Sequence, residues 1–494
     1  MVMSTMPADI YSVATVREMD RTAIEDLGIP GYTLMSRAGA AALCEAQRRY
    51  PDAGRWQIVC GAGNNAGDGY VLARLAASEG ISVSVVALVD PVSLQGDAAT
   101  AYGDFVAEGG VGAPWSGALD ANVQLVVDGI LGSGLERDLA GDFEAAVAAI
   151  NAHPGNVLAL DIPTGIHGDS GVMMGSAVRA DLTVTFVGLK TGLFQGDGPT
   201  CCGDVVFAGL DIPADGREKS QVECRLIGDD ALRKRLAPRR RTAHKGDFGH
   251  VLVVGGGAGM PGAVRLCAEA ALRTGAGRVS IATDSGHSAI IVATRPELMS
   301  HGISGASELA PLLEKADVIA FGPGLGQSPW AAELVAALSA DTRPSVWDAD
   351  ALNWLAESPA RCDNRVITPH PGEAATLLDV ATEAIQENRP AALRNLQERF
   401  GGVVVLKGSG TMISAASGVP WLCASGNPGM ASPGMGDVLT GVIASLLAQG
   451  LTAEEAAAIG VEVHARAGDR AAATGERGLL ASDLLSELRG VINP

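Results

Sequence analysis

Short apolar runs recur along the chain, and most of them stop at a glycine or an aspartate. Gln57-Ile-Val-Cys60, Val83-Ser-Val-Val-Ala-Leu88, Leu125-Val-Val-Asp128, Val157-Leu-Ala-Leu-Asp161 and Leu182-Thr-Val-Thr-Phe186 form one series. Apolar residues at helical spacing fill the gaps, for example from about Tyr70 to Ser78, and an amphipathic stretch from Val16 to Tyr50 precedes the series. Continuous apolar strands separated by helices predict a parallel sheet covered on both faces. The pattern breaks between Asp211 and Lys245. Pro213, Asp215, Gly216 and Arg217 read as a linker there, and the segment through Arg241 is charged. It restarts with His250-Val-Leu-Val-Val254, then Val279-Ser-Ile-Ala282, Val318-Ile-Ala-Phe321, Val366-Ile367 and Val403-Val-Val-Leu406. The final stretch, Gly436 to Arg489, reads as largely helical. The expectation is two α/β domains, 1–218 with a Rossmann-like parallel sheet and 222–494.

Composition narrows the class. The 64 glycines in 494 residues exceed the usual share of about 7%, and they cluster at the ends of apolar runs, where nucleotide-binding α/β proteins use them. A net charge of −20 argues against a nucleic-acid partner. The one basic run, Arg239-Arg240-Arg241, reads as a linker or solvated face. Eight cysteines without a CxxC pair read as free thiols in a reducing cytosol. The N-terminal residues lack the charged and apolar regions of a signal peptide, and no apolar run reaches about 18 residues. A cytoplasmic protein without a membrane partner is expected.

The glycine-rich ends carry the chemistry. Gly434-Met435-Gly436-Asp437 leads into a helix expected to start near Gly436. Helix N-termini offer free amides and a positive dipole end to a phosphate. A carboxylate in that place is repelled by the phosphate unless it serves as a base on an attacking hydroxyl. In the first half, Gly61-Ala-Gly-Asn-Asn-Ala66 fits a loose dinucleotide fingerprint. Its continuation, Asn64-Asn-Ala-Gly-Asp-Gly69, reads as a glycine loop supplying oxygens to a polar ligand or hard cation. Asp128 and Asp161 end two strands, the second followed by Ile-Pro-Thr-Gly165. Ligands of open parallel sheets bind beyond such strand ends, so Asn65, Asp128 and Thr164 should face one crevice.

Gly61-Ala-Gly-Asn-Asn-Ala-Gly-Asp-Gly69, Asp128-Gly-Ile-Leu-Gly-Ser-Gly134 and Asp161-Ile-Pro-Thr-Gly165 resemble the NAD(P)H-hydrate epimerase family. Leu34-Met-Ser-Arg-Ala-Gly39 and Gly188-Leu-Lys-Thr-Gly192 do so too. The resemblance implies potassium held by Asn65, Asp128 and Thr164. It implies a hydrated nicotinamide nucleotide contacted by Asn64, Asn65, Ala66, Gly67, Asp68, by Gly132, Ser133, Gly134, Leu135, Glu136, Arg137 and Asp138, and by catalytic Asp161. Ala66 stands where the family commonly has Gly, Thr164 where it has Ser and Ser133 where it has Thr.

The second half resembles the ADP-dependent NAD(P)H-hydrate dehydratase family, with a ribokinase-like α/β fold. The motifs are Gly255-Gly-Gly-Ala-Gly-Met-Pro-Gly-Ala263, Gly322-Pro-Gly-Leu-Gly326, Asp348-Ala-Asp-Ala-Leu352, Thr368-Pro-His-Pro-Gly-Glu373, Lys407-Gly-Ser-Gly-Thr411 and the Asp437 loop. By resemblance Ala263, Gly324, His370 and Asp437 contact the hydrate. Lys407, Gly408, Ser409, Gly410, Thr411 and Gly436 then bind ADP or AMP, and Asp437 is the catalytic base. Met260 stands where the family often has Tyr. Both halves together resemble bifunctional enzymes that repair NADHX and NADPHX, the hydrates of NADH and NADPH, using ADP. Mg²⁺ with the ADP and a homo-oligomer are further expectations. Two alternatives share some of these features: a ribokinase-type small-molecule kinase, which lacks the first half, and a non-catalytic scaffold.

Overall fold

The computed structural model describes residues 6–213, 220–293 and 295–493. Asp215, Gly216 and Arg217 of the expected linker lie outside them. The chain divides into two compact units at Arg225/Leu226.

The first unit holds β1 (Asp9–Tyr11), β2 (Arg55–Cys60), β3 (Ser82–Ala87), β4 (Gly112–Pro114), β5 (Leu125–Gly129), β6 (Asn156–Leu160), β7 (Leu182–Phe186), β8 (Leu189–Lys190) and β9 (Asp204–Ala208). Seven of them form a parallel sheet in the order β4-β3-β2-β5-β6-β7-β9. The chain steps outward from β2 to β4, then returns to the other side of β2 with β5, so the order reverses between β2 and β5. Each strand divides its residues between two cores, as period-2 side chains require. Ile58, Leu125, Val127 and Leu158 pack with the helices Gly31–Arg49 and Asn64–Ser78. Val59, Val126 and Val157 pack with Ala146, Val147 and Ile150 of the helix Asp142–Ala152. Burial on both faces explains why these strands read as unbroken apolar runs.

The helix expected from about Tyr70 begins at Asn64. The stretch Asn64 to Gly69 is therefore its first turns and not a loop. Low helix propensity is overridden by close packing: a Cβ on Gly67 would stand 2.6 Å from the Met35 sulfur, and one on Gly69 3.1 Å from Cys60 Sγ. Ala66 has no positive φ and is fully buried, so its methyl group fits without strain.

β10 (Cys224–Leu226) begins in the first unit, where Cys224 and Arg225 pair antiparallel with Ile10 and Asp9 of β1. Val222 also packs on the first core. Residues 222 to 225, expected in the second domain, thus lie with the first. Arg239 of the basic run is spent on the fold: its guanidinium covers the Phe248 ring at 3.6 Å and donates to the Gly275 carbonyl.

The second unit holds β11 (His250–Val254), β12 (Arg278–Asp284), β13 (Met299–Ile303), β14 (Val318–Phe321), β15 (Ser345–Trp347), β16 (Arg365–Ile367), β17 (Val403–Leu406), β18 (Thr411–Ile413) and β19 (Trp421–Cys423). Their order is β13-β12-β11-β14-β15-β16-β17-β18-β19, parallel through β17 and then antiparallel. Here too the order reverses, between β11 and β14. The helices Pro261–Thr274, Met435–Ala448, Ala453–Ala471 and Ala481–Val491 cover one face. Gly441 lets two of them meet backbone to backbone, since a Cβ there would stand 2.0 Å from the Cys267 carbonyl oxygen. Among the described residues no helix is long and apolar enough to cross a membrane.

Candidate functional sites

Each unit places its polar residues at the carboxyl ends of its strands, in the first unit beside the point where strand order reverses. That is where open α/β sheets bind ligands, because the two neighbouring loops part in opposite directions.

In the first unit Asp128 and Thr164 are buried against each other at the ends of β5 and β6. Thr164 donates to the Asp128 carboxylate through its hydroxyl at 2.7 Å and its backbone N–H at 2.8 Å. Leu131 N–H donates to Thr164 Oγ1 at 2.9 Å. Burial pushes the Asp128 carboxyl up to about 6 despite these donors. Asn65 is buried nearby with neither side-chain Oδ1 nor Nδ2 partnered, an arrangement that buried amides rarely tolerate. A Cβ on Gly132 would stand 3.5 Å from Asn65 Oδ1 and 3.4 Å from Asp161 Oδ2. Asn65, Gly132 and Asp161 therefore converge.

Asp161 follows β6 in a left-handed conformation, φ 68°, which costs a non-glycine residue about 1–3 kcal/mol and is held only where surroundings over-determine it. The fixing partner is Lys190, which is 1% exposed and forms an ion pair with Asp161 Oδ1. Lys190 also donates to Thr185 Oγ1 and the Phe186 carbonyl, each at 3.1 Å. Two more carboxyls surround this pair. Burial, opposed by Lys190 and reinforced by Asp161, pushes Asp20 up to about 6. Burial together with Asp161 and Asp20 pushes Asp68 well above the usual range. Sequence reasoning gave no role to Asp20 or Lys190. The rest of the expected contact set is scattered: Asn64 is exposed and Leu135 is buried in the core. Ser133 lies by Gly168 and Gly134 by Arg17. Glu136, Arg137 and Asp138 are exposed and carry no hydrogen bond to the cluster.

In the second unit Asp348 follows β15 and Lys407 follows β17. Lys407 Nζ donates to Asp348 Oδ1 at 2.8 Å and lies 3.7 Å from Glu373 Oε2. Thr440 donates to the other Asp348 oxygen at 2.9 Å. Against the burial that would raise it, Lys407 holds the Asp348 carboxyl below its usual range. Against burial likewise, Asp348 and Glu373 hold the Lys407 ammonium above its own. Gly436 sits over this pair, where a Cβ would stand 3.1 Å from Asp348 Oδ2 and 3.2 Å from Lys407 Nζ. Gly434 takes φ 90° and turns the chain into the helix Met435–Ala448, which opens one residue before the expected start. Asp437 lies in its first turn. Burial, then Asp348, push its carboxyl up to about 7, with Lys407 opposing.

The remaining expected residues border the same strand ends. Gly324 (φ 55°) meets Met260 and Ala263, where a Cβ would stand 2.9 and 3.0 Å from their Cβ atoms. His370 caps the helix Pro371–Leu378: its Nδ1 accepts from Gly372 N–H at 3.0 Å, and Glu373 accepts from the His370 N–H at 2.7 Å. The ring is more than half exposed, and its Nε2 lies 3.5 Å from Glu373 Oε1. Lys407, Gly408, Ser409 and Gly410 form the turn between β17 and β18, and Thr411 opens β18. Buried Arg389 ties that turn down by donating to the carbonyls of Leu406, Lys407 and Gly410. Nothing in the local sequence pointed to Arg389.

Comparison with known proteins gives two family matches. Residues 251–489 match a family described as NAD(P)H-hydrate dehydratase, and residues 31–192 match one described as YjeF-related protein N-terminus. The bifunctional NAD(P)H-hydrate repair enzyme of Coxiella burnetii is 45% identical, over 98% of this chain and 99% of its own. That of Escherichia coli is 41% identical, over 99% and 95%. A ribokinase-like superfamily protein of Enterococcus faecalis matches in structure with TM-score 0.52 and 30% identity, covering 55% of this chain and 98% of its own. With identity of this order along the whole length, the chain belongs to the family of bifunctional NAD(P)H-hydrate repair enzymes.

Proposed function

We propose that the first unit interconverts the R and S forms of hydrated NADH and NADPH, and that the second dehydrates the S form at the expense of ADP. The observation that carries this reading is Asp437, a carboxyl pushed up to about 7 in the first turn of a glycine-led helix. Hydration leaves a hydroxyl on ring carbon C6, a poor leaving group. Asp437 takes the hydroxyl proton as its oxygen attacks the β-phosphorus of ADP, and AMP departs. The phosphorylated carbon then loses phosphate, a neighbouring carbon loses a proton, and the ring double bond returns. The Gly434–Gly436 amides and Lys407 face the charge that develops on the transferring phosphoryl group, the usual main source of help for this chemistry. The Lys407–Thr411 turn, held by Arg389, would bind the nucleotide. Ala263, Gly324 and His370 Nε2 would border the hydrate. Mg²⁺ would arrive with the ADP.

In the first unit Asn65, Asp128 and Thr164 would hold potassium. The orphaned Asn65 amide oxygen and the buried Asp128 carboxyl are the features that suit it. One carboxylate among neutral oxygens fits a single positive charge better than two. The cation would supply fixed positive charge beside the nucleotide. Asp161, locked by Lys190, would move protons at C6 during inversion.

The test is to give the protein each hydrate epimer, with ADP or ATP and with potassium or a bulky organic cation, while following nicotinamide absorbance. The S form should recover with ADP in either salt. The R form should recover only when potassium is present. Equal recovery of both forms without potassium would remove the cation site, and no ADP-driven recovery at all would remove the second-unit reading.

A further inference from the structure

A cavity of about 360 Å³ opens in the second unit between the helices Pro261–Thr274 and Ala481–Val491, with Arg265, Leu266, Glu269, Arg295 and Ser482 among its walls. That volume lies in the range of small-ligand sites, roughly 300–1,000 Å³. Its charges are unequal in their commitments. Buried Glu269 is occupied by Arg295, in close ion contact, and by Arg273 at 3.7 Å. Arg265, one turn earlier on the same helix, has no ion pair and no hydrogen bond among the described residues. It is half-buried. In a chain of net charge −20, an uncommitted guanidinium inside a cavity marks a place that favours an anion, and its planar fork suits phosphate.

The cavity adjoins the proposed dehydration site. Leu266 forms its wall towards the catalytic loop: a Cβ on Gly434 would stand 2.6 Å from Leu266 Cδ1. Ala481, next to Ser482, would lie 3.1 Å from the same point. Gly262, also in the cavity wall, precedes Ala263, which meets Gly324. One side chain therefore separates the cavity from the loop that leads to Asp437.

We propose that Arg265 binds a phosphate of the hydrated dinucleotide, making the cavity the seat of the part of the substrate remote from the reacting ring. This rests on the proposed dehydration. A substrate whose ring lies at Asp437 still has a pyrophosphate and a second nucleoside to place. Lys407, paired with Asp348 and Glu373 and set against the transferring phosphoryl group, is not left over for that added charge.

The test uses the full-length protein with saturating ADP and the S hydrates of NADH and of NADPH, comparing wild type with Arg265→Gln and Arg265→Lys. A charge-assisted contact of this kind predicts a KM about tenfold or more higher in Arg265→Gln, with kcat and epimerisation kept and a smaller rise in Arg265→Lys. A rise confined to the NADPH hydrate assigns Arg265 to the 2′-phosphate, and an equal rise for both assigns it to the pyrophosphate. Unchanged KM for both, or a fall in kcat alone, overturns the proposal. Failure of the wild type to dehydrate either hydrate with ADP would instead overturn the reading on which it rests.

Discussion

Asp437 feels the carboxylates of Asp348 and Asp350 and, against them, the Lys407 ammonium. Asp437→Asn keeps the shape of the loop and removes the proposed base, so dehydration should fall roughly 10²–10⁴-fold while epimerisation is kept. Near-normal dehydration in this variant would take Asp437 out of the mechanism. The pH dependence follows from the same surroundings. The carboxyl stands at about 7 in the folded protein, against an ordinary 3.8. Its contribution to stability is thus complete below the ordinary value and is lost as pH rises through about 7. Catalysis runs the other way, since only the carboxylate accepts a proton. The kcat/KM for dehydration should climb through about pH 7 and then level. In Asp348→Asn the climb should move to lower pH, because a like charge is gone and Lys407 is released towards Asp437. A flat wild-type profile across this range would separate Asp437 from the rate-determining proton transfer. Asp437, Asp128 and Asp161 were legible because each ends an apolar run or opens a helix after glycine. Lys190, Asp20 and Arg389 were not: they act on residues distant in the chain, and their own neighbourhoods read as ordinary strand or helix.

At the level of elements, legibility followed burial on two faces. Runs such as His250–Val254 and Val318–Phe321 stand as strands with the bounds their apolar residues suggested. The strand Met299-Ser-His-Gly-Ile303 lies at the edge of its sheet with most of its residues open to water, so it carries no apolar signature. The helix at Asn64 was misplaced for the opposite reason. Its glycines look like loop residues because neighbours press on them. Glycines in helices are thus of two kinds, and substitution should separate them. Gly103, within the helix Gly96–Ala107, has open space where a Cβ would stand and no positive φ. Gly103→Ala should stabilise the first unit by about 0.5–1 kcal/mol. A Cβ on Gly198 would lie 1.9 Å from the Gly192 carbonyl oxygen, so Gly198→Ala should be strongly destabilising. Thermal unfolding of the two variants checks both, and similar melting temperatures would contradict this account of the packing.

The whole molecule is two units with two sites, and the division at Arg225/Leu226 decides how they are to be separated. A fragment ending near residue 218 strips β1 of its antiparallel partner and takes Val222 from the first core. We expect fragments cut after Arg225 to fold, the first showing epimerisation alone and the second ADP-driven dehydration of the S form alone. Fragments cut near residue 218 should yield a less stable first part, as urea titration of the two versions would show; equal midpoints would mean that Cys224 and Arg225 contribute nothing to that unit. One polypeptide carrying both units also fixes a stoichiometry. Every copy that consumes a single hand of the damaged nucleotide is made together with a copy that replenishes it, whatever the level of expression. Neither activity can outnumber the other through changes in gene dosage, so the pool that the dehydrating site cannot accept never lacks a matching supply of the epimerising one.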